Sequence, residues 1–275
     1  MNFEEFIRHF GTEKKCENHI KNYREKQGII CTNCSEKVIN WRAKQKYWRC
    51  KCGKKISLKS GTLMESSKLK FTTWFKAIFL MTHIKKPYST AEIARILGIK
   101  RYRTVWYLVM KLRCAMGREL LAKDYFQFLY IFSHSNERDV QIKKLKNYSV
   151  GAIRKKEQKG DDEINLLAPL HLHLNVNAEE NRLNSKGYRC KKILGVQNTI
   201  EWVNPVSPVK PTVIKWLNKL HSNTSRILNG IHHGVHFLHL QKYLFEFSFN
   251  YNYRKKDKFQ PLFNQVLGKR WQTND

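Results

Sequence analysis

Acidic side chains are scarce in this 275-residue chain: 22 Asp and Glu stand against 52 Lys and Arg, a formal net charge of +30. The excess runs along the whole chain. It is useful mainly with a polyanionic partner, because each neutralised phosphate releases a counterion and strengthens binding at ordinary salt. Nucleic acid is therefore expected ahead of an anionic membrane surface. Long apolar runs are also missing, since no window reaches eighteen apolar residues, and a membrane-spanning helix is not expected. Residues 1–21 are charged throughout and lack the apolar stretch of a secretory leader. The expected location is cytoplasmic and nucleoid-associated in a prokaryote, or nuclear in a eukaryote. An even set of cysteines is absent too. There are seven, four of them in close pairs, which fits a bound metal in a reducing compartment better than a disulfide framework. Cys16, Cys114 and Cys190 stand alone and read as small buried or half-buried thiols. Apolar content is not lacking: at 41% hydrophobic the chain can bury one large core or two to three small ones.

The paired cysteines are Cys31-Thr-Asn-Cys34 and Cys50-Lys-Cys52. Short β-rich runs surround them: Gly28-Ile29-Ile30, Val38-Ile39-Asn40-Trp41, Tyr47-Trp48-Arg49 and Lys55-Ile56-Ser57-Leu58. Each pair follows a strand-like run and so sits on a turn, which is the pattern of a zinc ribbon. Cys31, Cys34, Cys50 and Cys52 together match the four ligands of a tetrahedral Zn²⁺. So small a sheet needs such a staple.

Helical periodicity flanks the ribbon. Phe3, Phe6, Ile7 and Phe10 form an apolar stripe at the start and a Lys/Glu-rich segment follows, so short helices are expected over 1–28; a further helix is expected over 66–86, with Trp74, Ile78, Phe79 and Met81 on its apolar face. Ser89-Thr90-Ala91-Glu92 reads as a capping box opening a helix that stops at Gly98. A further helix is expected from about Lys100 to Met116. There Val105, Leu108, Val109, Leu112 and Met116 share one face, with Lys100, Arg103, Tyr107 and Lys111 opposite. An apolar stripe backed by a basic, aromatic face is what a recognition helix presents to the major groove: Arg for guanine edges, Lys for phosphates. Lys100, Arg101, Arg103, Thr104, Tyr107 and Lys111 are the candidate DNA-binding residues.

Two blocks of the chain resemble the ISXO-type, Merlin-related insertion-sequence transposases. The first runs from Cys31 through Tyr47-Trp48-Arg49-Cys50-Lys51-Cys52, Ser60-Gly61-Thr62-Leu63-Met64, Leu69–Met81 and Ile93–Ile99. It is similar to the zinc ribbon and helix-turn-helix with which the family binds terminal inverted repeats. One residue is added in the turn, since the family reaches Thr104-Val105-Trp106 a position sooner. The second block comprises Trp216-Leu217-Asn218, Gly230–Val235, His239–Leu244 and Glu246–Phe249. It resembles the closing helices of the family's RNase H-like catalytic domain.

The resemblance implies DNA cleavage and strand transfer by carboxylates holding two divalent ions, Mg²⁺ or Mn²⁺. The family's first Asp sits in a Glu-x-Asp-Glu strand. Here the corresponding strand, Asp124–Phe132, carries Gln127, Phe128 and Leu129 at its centre, leaving only Asp124 at its start. The second acid is replaced by Asn175 or Asn177, with Glu179 and Glu180 beyond the strand end. Asn218 fits the third position, where the family has an amide or a charged residue. An amide brings a hard cation no charge, so the catalytic domain reads as eroded.

The expected fold is α+β. It comprises an N-terminal helical segment (1–28), a zinc ribbon (29–60), a helix-turn-helix (61–120) and a degenerate RNase H-like α/β domain (121–275). The expected function is sequence-specific binding of inverted-repeat-like duplex DNA by a transposase-derived protein without catalysis. One alternative is an active transposase using Asp124, Glu179 and Asn218. Another is a zinc-dependent interaction module that does not bind DNA. Dimerisation through the carboxy-terminal domain is a further expectation from the resemblance. The histidines His171, His173, His232, His233, His236 and His239 read as surface or packing residues. The basic runs Lys143-Lys144, Arg154-Lys155-Lys156 and Arg254-Lys255-Lys256 read as solvated or phosphate-tracking.

Overall fold

The computed structural model of the chain describes residues 1–84, 86–121, 129–132, 148–153, 170–174, 188–194, 199–203, 223–224, 226–233, 235 and 237–268, and over the strands between 129 and 203 it describes the backbone alone. The chain divides into two units. The first takes Met1–Ile84, Ala91–Ala115 and the segment from Asp257, and the second takes Lys85–Thr90 and Met116–Lys256.

The first unit opens with α1 (Phe3–Phe10) and α2 (Glu13–Gln27). A reciprocal capping box starts α1: Asn2 Oδ1 accepts from Glu5 N at 2.8 Å, and Glu5 Oε2 accepts from Asn2 N at 2.9 Å. From the apolar stripe Phe6 and Phe10 are buried, whereas Phe3 and Ile7 remain 62% and 40% exposed. A small antiparallel sheet follows, of β1 (Trp41–Arg42), β2 (Tyr47–Arg49) and β3 (Lys55–Ser57) in that order. Its inner face is Trp41, the fully buried Trp48 and Ile56. From α2, Arg24 Nη1 donates to Ser57 O at 2.8 Å and Leu58 O at 2.9 Å, and its guanidinium lies over the Trp48 ring. Glu25 accepts from Trp48 Nε1 at 3.2 Å. The sheet is thus pinned to α2.

Helix α3 spans Phe71–His83, shorter than the expected 66–86. Its start is set from a distance. Ser66 takes a left-handed φ of 61°, and Lys59 Nζ holds Ser67 O at 2.7 Å and Leu69 O at 2.6 Å, so that this stretch stays a loop. The Glu13 carboxylate then accepts from Phe71 N at 2.7 Å, Thr72 N at 3.0 Å and Thr72 Oγ1 at 2.9 Å. A carboxylate there satisfies orphan amides and meets the positive end of the helix dipole. Partial burial works against its ionisation, but these hydrogen bonds outweigh it and hold the Glu13 pKa below the ordinary value. Glu13→Ala is expected to cost about 1–2 kcal/mol at neutral pH, the scale of a lost N-cap. Because the folded pKa is depressed, this contribution is present above the unfolded value of about 4.3 and fades as pH falls through the folded one. Urea melts of wild type and variant should therefore converge on acidification. A gap that persists at low pH would contradict the assignment.

Two more helices, α4 (Thr90–Leu97) and α5 (Tyr102–Leu121), complete the front of the chain. α5 overruns its expected end at Met116. Its last turns belong to the second unit, where Gly117 packs so closely on the Phe245 ring that a Cβ has no room. The Glu119 carboxylate accepts there from the Tyr253 hydroxyl.

The second unit holds a five-stranded sheet: β4 (Leu129–Phe132), β5 (Tyr148–Ile153), β6 (Leu170–Leu174), β7 (Tyr188–Leu194) and β8 (Thr199–Val203), in the order β6-β5-β4-β7-β8. All its pairings are antiparallel, for example Ile131 opposite both Gly151 and Arg189, and α6 (Phe237–Asn252) packs against β6. The described strands of 121–275 thus form an antiparallel sheet. Parallel strands need long crossovers, while only residues 195–198 separate β7 from β8, enough for a hairpin. The chain is α+β in both units.

The segment expected as one carboxy-terminal domain is also divided. Helix α7 (Phe259–Leu267) belongs to the first unit, where Leu63 N donates to Val266 O at 3.0 Å. Phe259 stacks on Phe10 at 5.5 Å, and Phe263 meets Phe75 and His19 at 5.0 Å each. α7 thus supplies two rings to the first unit's aromatic core. Among the described residues no helix is long and apolar enough to cross a membrane.

Candidate metal centre and nucleic-acid interface

Two turns bring the four paired cysteines together. In the first, Ile30 bridges Lys37, Cys31 N donates to Glu36 O at 2.9 Å, and Ser35 N donates to Cys31 O at 2.9 Å, with Ser35 at a left-handed φ of 58°. In the second, Cys50 N donates to Lys54 O at 2.9 Å and Gly53 N to Cys50 O at 3.0 Å. Gly53 has a φ of 85°, a conformation open to glycine at little cost, and it lets a pair separated by one residue turn both sulfurs inward.

The sulfurs of Cys31, Cys34, Cys50 and Cys52 all lie within 4.8 Å of one another, with Cys31 to Cys52 at 3.7 Å and Cys34 to Cys50 at 3.3 Å. A tetrahedron of thiolates at a metal–sulfur distance of about 2.3 Å has edges of about 3.8 Å. The four cysteines can hold a metal ion. Their intrinsic charge states also fit a cation. The Lys54 amide first, then the Asn33 side chain, pushes the Cys52 thiol down to about 6. Cys34, although the Glu36 amide favours its thiolate, is pushed up to about 12 by its hydrogen bond with Cys50 and by desolvation. Four adjacent thiols do not all ionise unaided; a divalent cation makes it possible. Asn33, whose side-chain amide reaches Cys52 Sγ at 3.7 Å, was not singled out from sequence, although its place inside the first pair is a signal.

The helix pair follows. α4 begins at Thr90, directly after Ser89, and ends in a Schellman motif: Gly98 N donates to Arg95 O at 3.1 Å and Ile99 N to Ala94 O at 3.0 Å, with Gly98 at φ 66°. Only 98–101 separate it from α5. Val105, Leu108, Val109, Leu112 and Met116 are all buried, as their period predicts. Lys100, Arg101, Arg103 and Tyr107 are exposed and Thr104 is half-buried. The Arg103 guanidinium donates to Tyr107 Oη at 3.2 Å and lies over its ring, which orients both outward groups. Tyr102, 53% exposed beside them, was overlooked in the sequence because it falls between the two expected faces.

Lys111 departs from its expected place. Its ammonium donates to Leu63 O at 3.3 Å and sits above the Trp74 ring, so the structure sets it against the protein rather than with the exposed cations. Arg113, unremarked in the sequence, is fully buried on the same helix.

Asp124, Glu179 and Asn218, with Asn175 and Asn177, lie outside the described residues. The four cysteines form the one group of three or more metal-type ligands among the described residues. Of the histidines, His232 packs edge-on against Tyr243 at 4.7 Å, while His236 and the side chains of His171 and His173 lie outside what the structure describes. Arg254 in the last basic run lies over the Tyr251 ring and stays exposed. No protein-family profile, no curated protein and no solved structure matches the chain.

Proposed function

We propose that this chain is a sequence-specific duplex-DNA-binding protein of transposase descent, held in shape by a structural Zn²⁺ on Cys31, Cys34, Cys50 and Cys52. The observation that carries the DNA reading is the amino-terminal end of α5. A four-residue turn delivers exposed Lys100, Arg101, Tyr102, Arg103 and Tyr107 on a helix whose opposite face is entirely buried. Such an end can enter a major groove while its stem stays anchored. The net charge of +30 supplies the sequence-independent part of the affinity. Zinc is preferred because an all-thiolate set at tetrahedral spacing leaves no open position, as in structural rather than catalytic sites.

The test is binding of the full chain to duplexes enriched from a random pool. Arg103→Ala is expected to weaken the selected site by about 1–3 kcal/mol, roughly 5- to 150-fold, and to relax preference at one base position. Lys111→Ala should leave base preference unchanged, since that ammonium faces the protein. Retention on DNA that ignores salt, or no retention, would overturn the reading in favour of an interaction module. In this reading the chain does not cut DNA, on the sequence ground that amides and apolar residues stand where the resembled family has acids. Strand transfer in Mg²⁺ or Mn²⁺ abolished by Asp124→Ala or Glu179→Ala would overturn that part.

A further inference from the structure

The four-cysteine centre contains two kinds of sulfur. Cys31 and Cys50 are buried, whereas Cys34 and Cys52 are exposed. Each exposed sulfur lies against a buried one from the other turn: Cys52 against Cys31 at 3.7 Å, and Cys34 against Cys50 at 3.3 Å. Bound to a metal, all four are thiolates, the nucleophilic form of the side chain. A thiolate that solvent reaches, with a second sulfur beside it, is the arrangement that oxidation carries to a disulfide. Cys16 lacks the first requirement, being fully buried with its sulfur on Phe10 O at 3.3 Å.

The spacing along the chain would suggest a bridge inside each turn, but the geometry favours bridges between the turns. One residue separates Cys50 from Cys52, so a bridge joining them closes a ring too small for the ordinary disulfide dihedral. Both must then find partners in the first turn. The sulfurs already in contact with them are Cys34 for Cys50 and Cys31 for Cys52.

We propose that the centre is also a site of oxidative modification, at which hydrogen peroxide or a small hydroperoxide converts the four thiolates into two bridges, Cys31 with Cys52 and Cys34 with Cys50. The inference rests on the metal reading of these cysteines. In the first step an exposed sulfur, Cys34 or Cys52, attacks the nearer oxygen of hydrogen peroxide. An S–O bond forms, the O–O bond breaks, and hydroxide leaves and takes a proton from solvent. The product is a sulfenic acid. The buried sulfur beside it, Cys50 or Cys31, then attacks that sulfenic sulfur. An S–S bond forms, the S–O bond breaks, and a second hydroxide leaves as water. Each bridge has given two electrons to one peroxide, which ends as two waters. Two bridges consume all four ligands, so the metal is released. They also tie together the same two turns that the metal tied, so the ribbon stays closed.

The experiment titrates the full zinc-loaded chain with hydrogen peroxide. It follows free zinc with an indicator dye, counts thiols, and maps bridges by tandem mass spectrometry of peptides prepared in acid. Two equivalents of peroxide should release one zinc and remove four thiols per chain, leaving Cys16 reduced and giving the two bridges between turns. Tryptophan emission should hold steady, because Trp48 stays covered against α2, whereas chelation of the same zinc shifts it to the red. A dithiol with Zn²⁺ should restore the starting state. If zinc and thiols survive excess peroxide, the oxidation is overturned and the metal reading stands. Bridges within one turn, sulfinic acids in place of bridges, or a red shift as large as that of chelation also overturn it. A reduced chain that takes up no zinc overturns the metal reading; the bridge map of that chain then decides the oxidation, which stands only if both bridges between turns form.

Discussion

Cys50→Ser, or removal of metal by a strong chelator, is expected to unfold the segment from Ile29 to Leu58. Strands of two and three residues cannot support themselves, and the segment's own core is small: Ile29, Val38, Trp48, Ile56 and Leu58 with the two buried cysteines. Binding of a structural zinc to four thiolates contributes about 10–16 kcal/mol at neutral pH. That is comparable to the roughly 5–15 kcal/mol that holds an ordinary domain together. The zinc-loaded chain should contain one metal per molecule and lose it together with the shielding of Trp48, which is fully buried against α2. A red shift of tryptophan emission on chelation, reversed by Zn²⁺, is the readout. Because the ligands must be thiolates, affinity should fall as pH drops, with protons released on binding. Unchanged melting and emission in Cys50→Ser would sink the metal assignment.

The second large effect comes from a residue far from the ribbon in sequence. Phe263→Ala should destabilise the first unit by about 3–5 kcal/mol, the usual cost of emptying a buried aromatic site. Phe263 is fully buried, with the rings of Phe75 and His19 at 5.0 Å, Tyr23 at 5.7 Å and Phe259 at 6.0 Å. It joins α7 to α2 and α3 at once, so the surroundings cannot collapse without parting helices. Denaturant melts of the full chain should show an earlier transition for the first unit. A melt within about 1 kcal/mol of wild type would mean that the site repacks.

The same pocket carries a pH effect. Burial first, and then nearby His9, holds the His19 pKa below its ordinary value, and its Nε2 is buried without a hydrogen-bond partner. The folded state thus binds the proton less readily than the unfolded chain, and the unit loses stability as pH falls below about 6.5.

Much of the candidate site was legible before the fold. The cysteine pairs announce their turns because they stand between short β-rich runs, where a turn readily brings two sulfurs one or two residues apart to one side. The α4–α5 connection was readable from Gly98, and the buried stripe of α5 from its helical period. Each is a relation among residues a few positions apart, which the backbone imposes whatever surrounds it.

Other features depend on partners that no local pattern names. Glu13 decides where α3 begins from 58 positions upstream, and Lys59 holds the preceding loop open. Lys111 reads as a groove-facing cation by helical phase, yet Leu63 and Trp74 take it inward. α7 lies near the chain's far end but packs into the amino-terminal core, and the order and antiparallel pairing of the five strands follow from contacts between distant segments. By itself the sequence determined which four cysteines could hold a metal, the helical register of α5 and the strong positive balance of the chain. Only the tertiary structure decided which of those cations are exposed and which are set against the protein. Exposure depends on which distant surfaces win the competition for burial and hydrogen bonding, and that competition is settled across the whole chain at once.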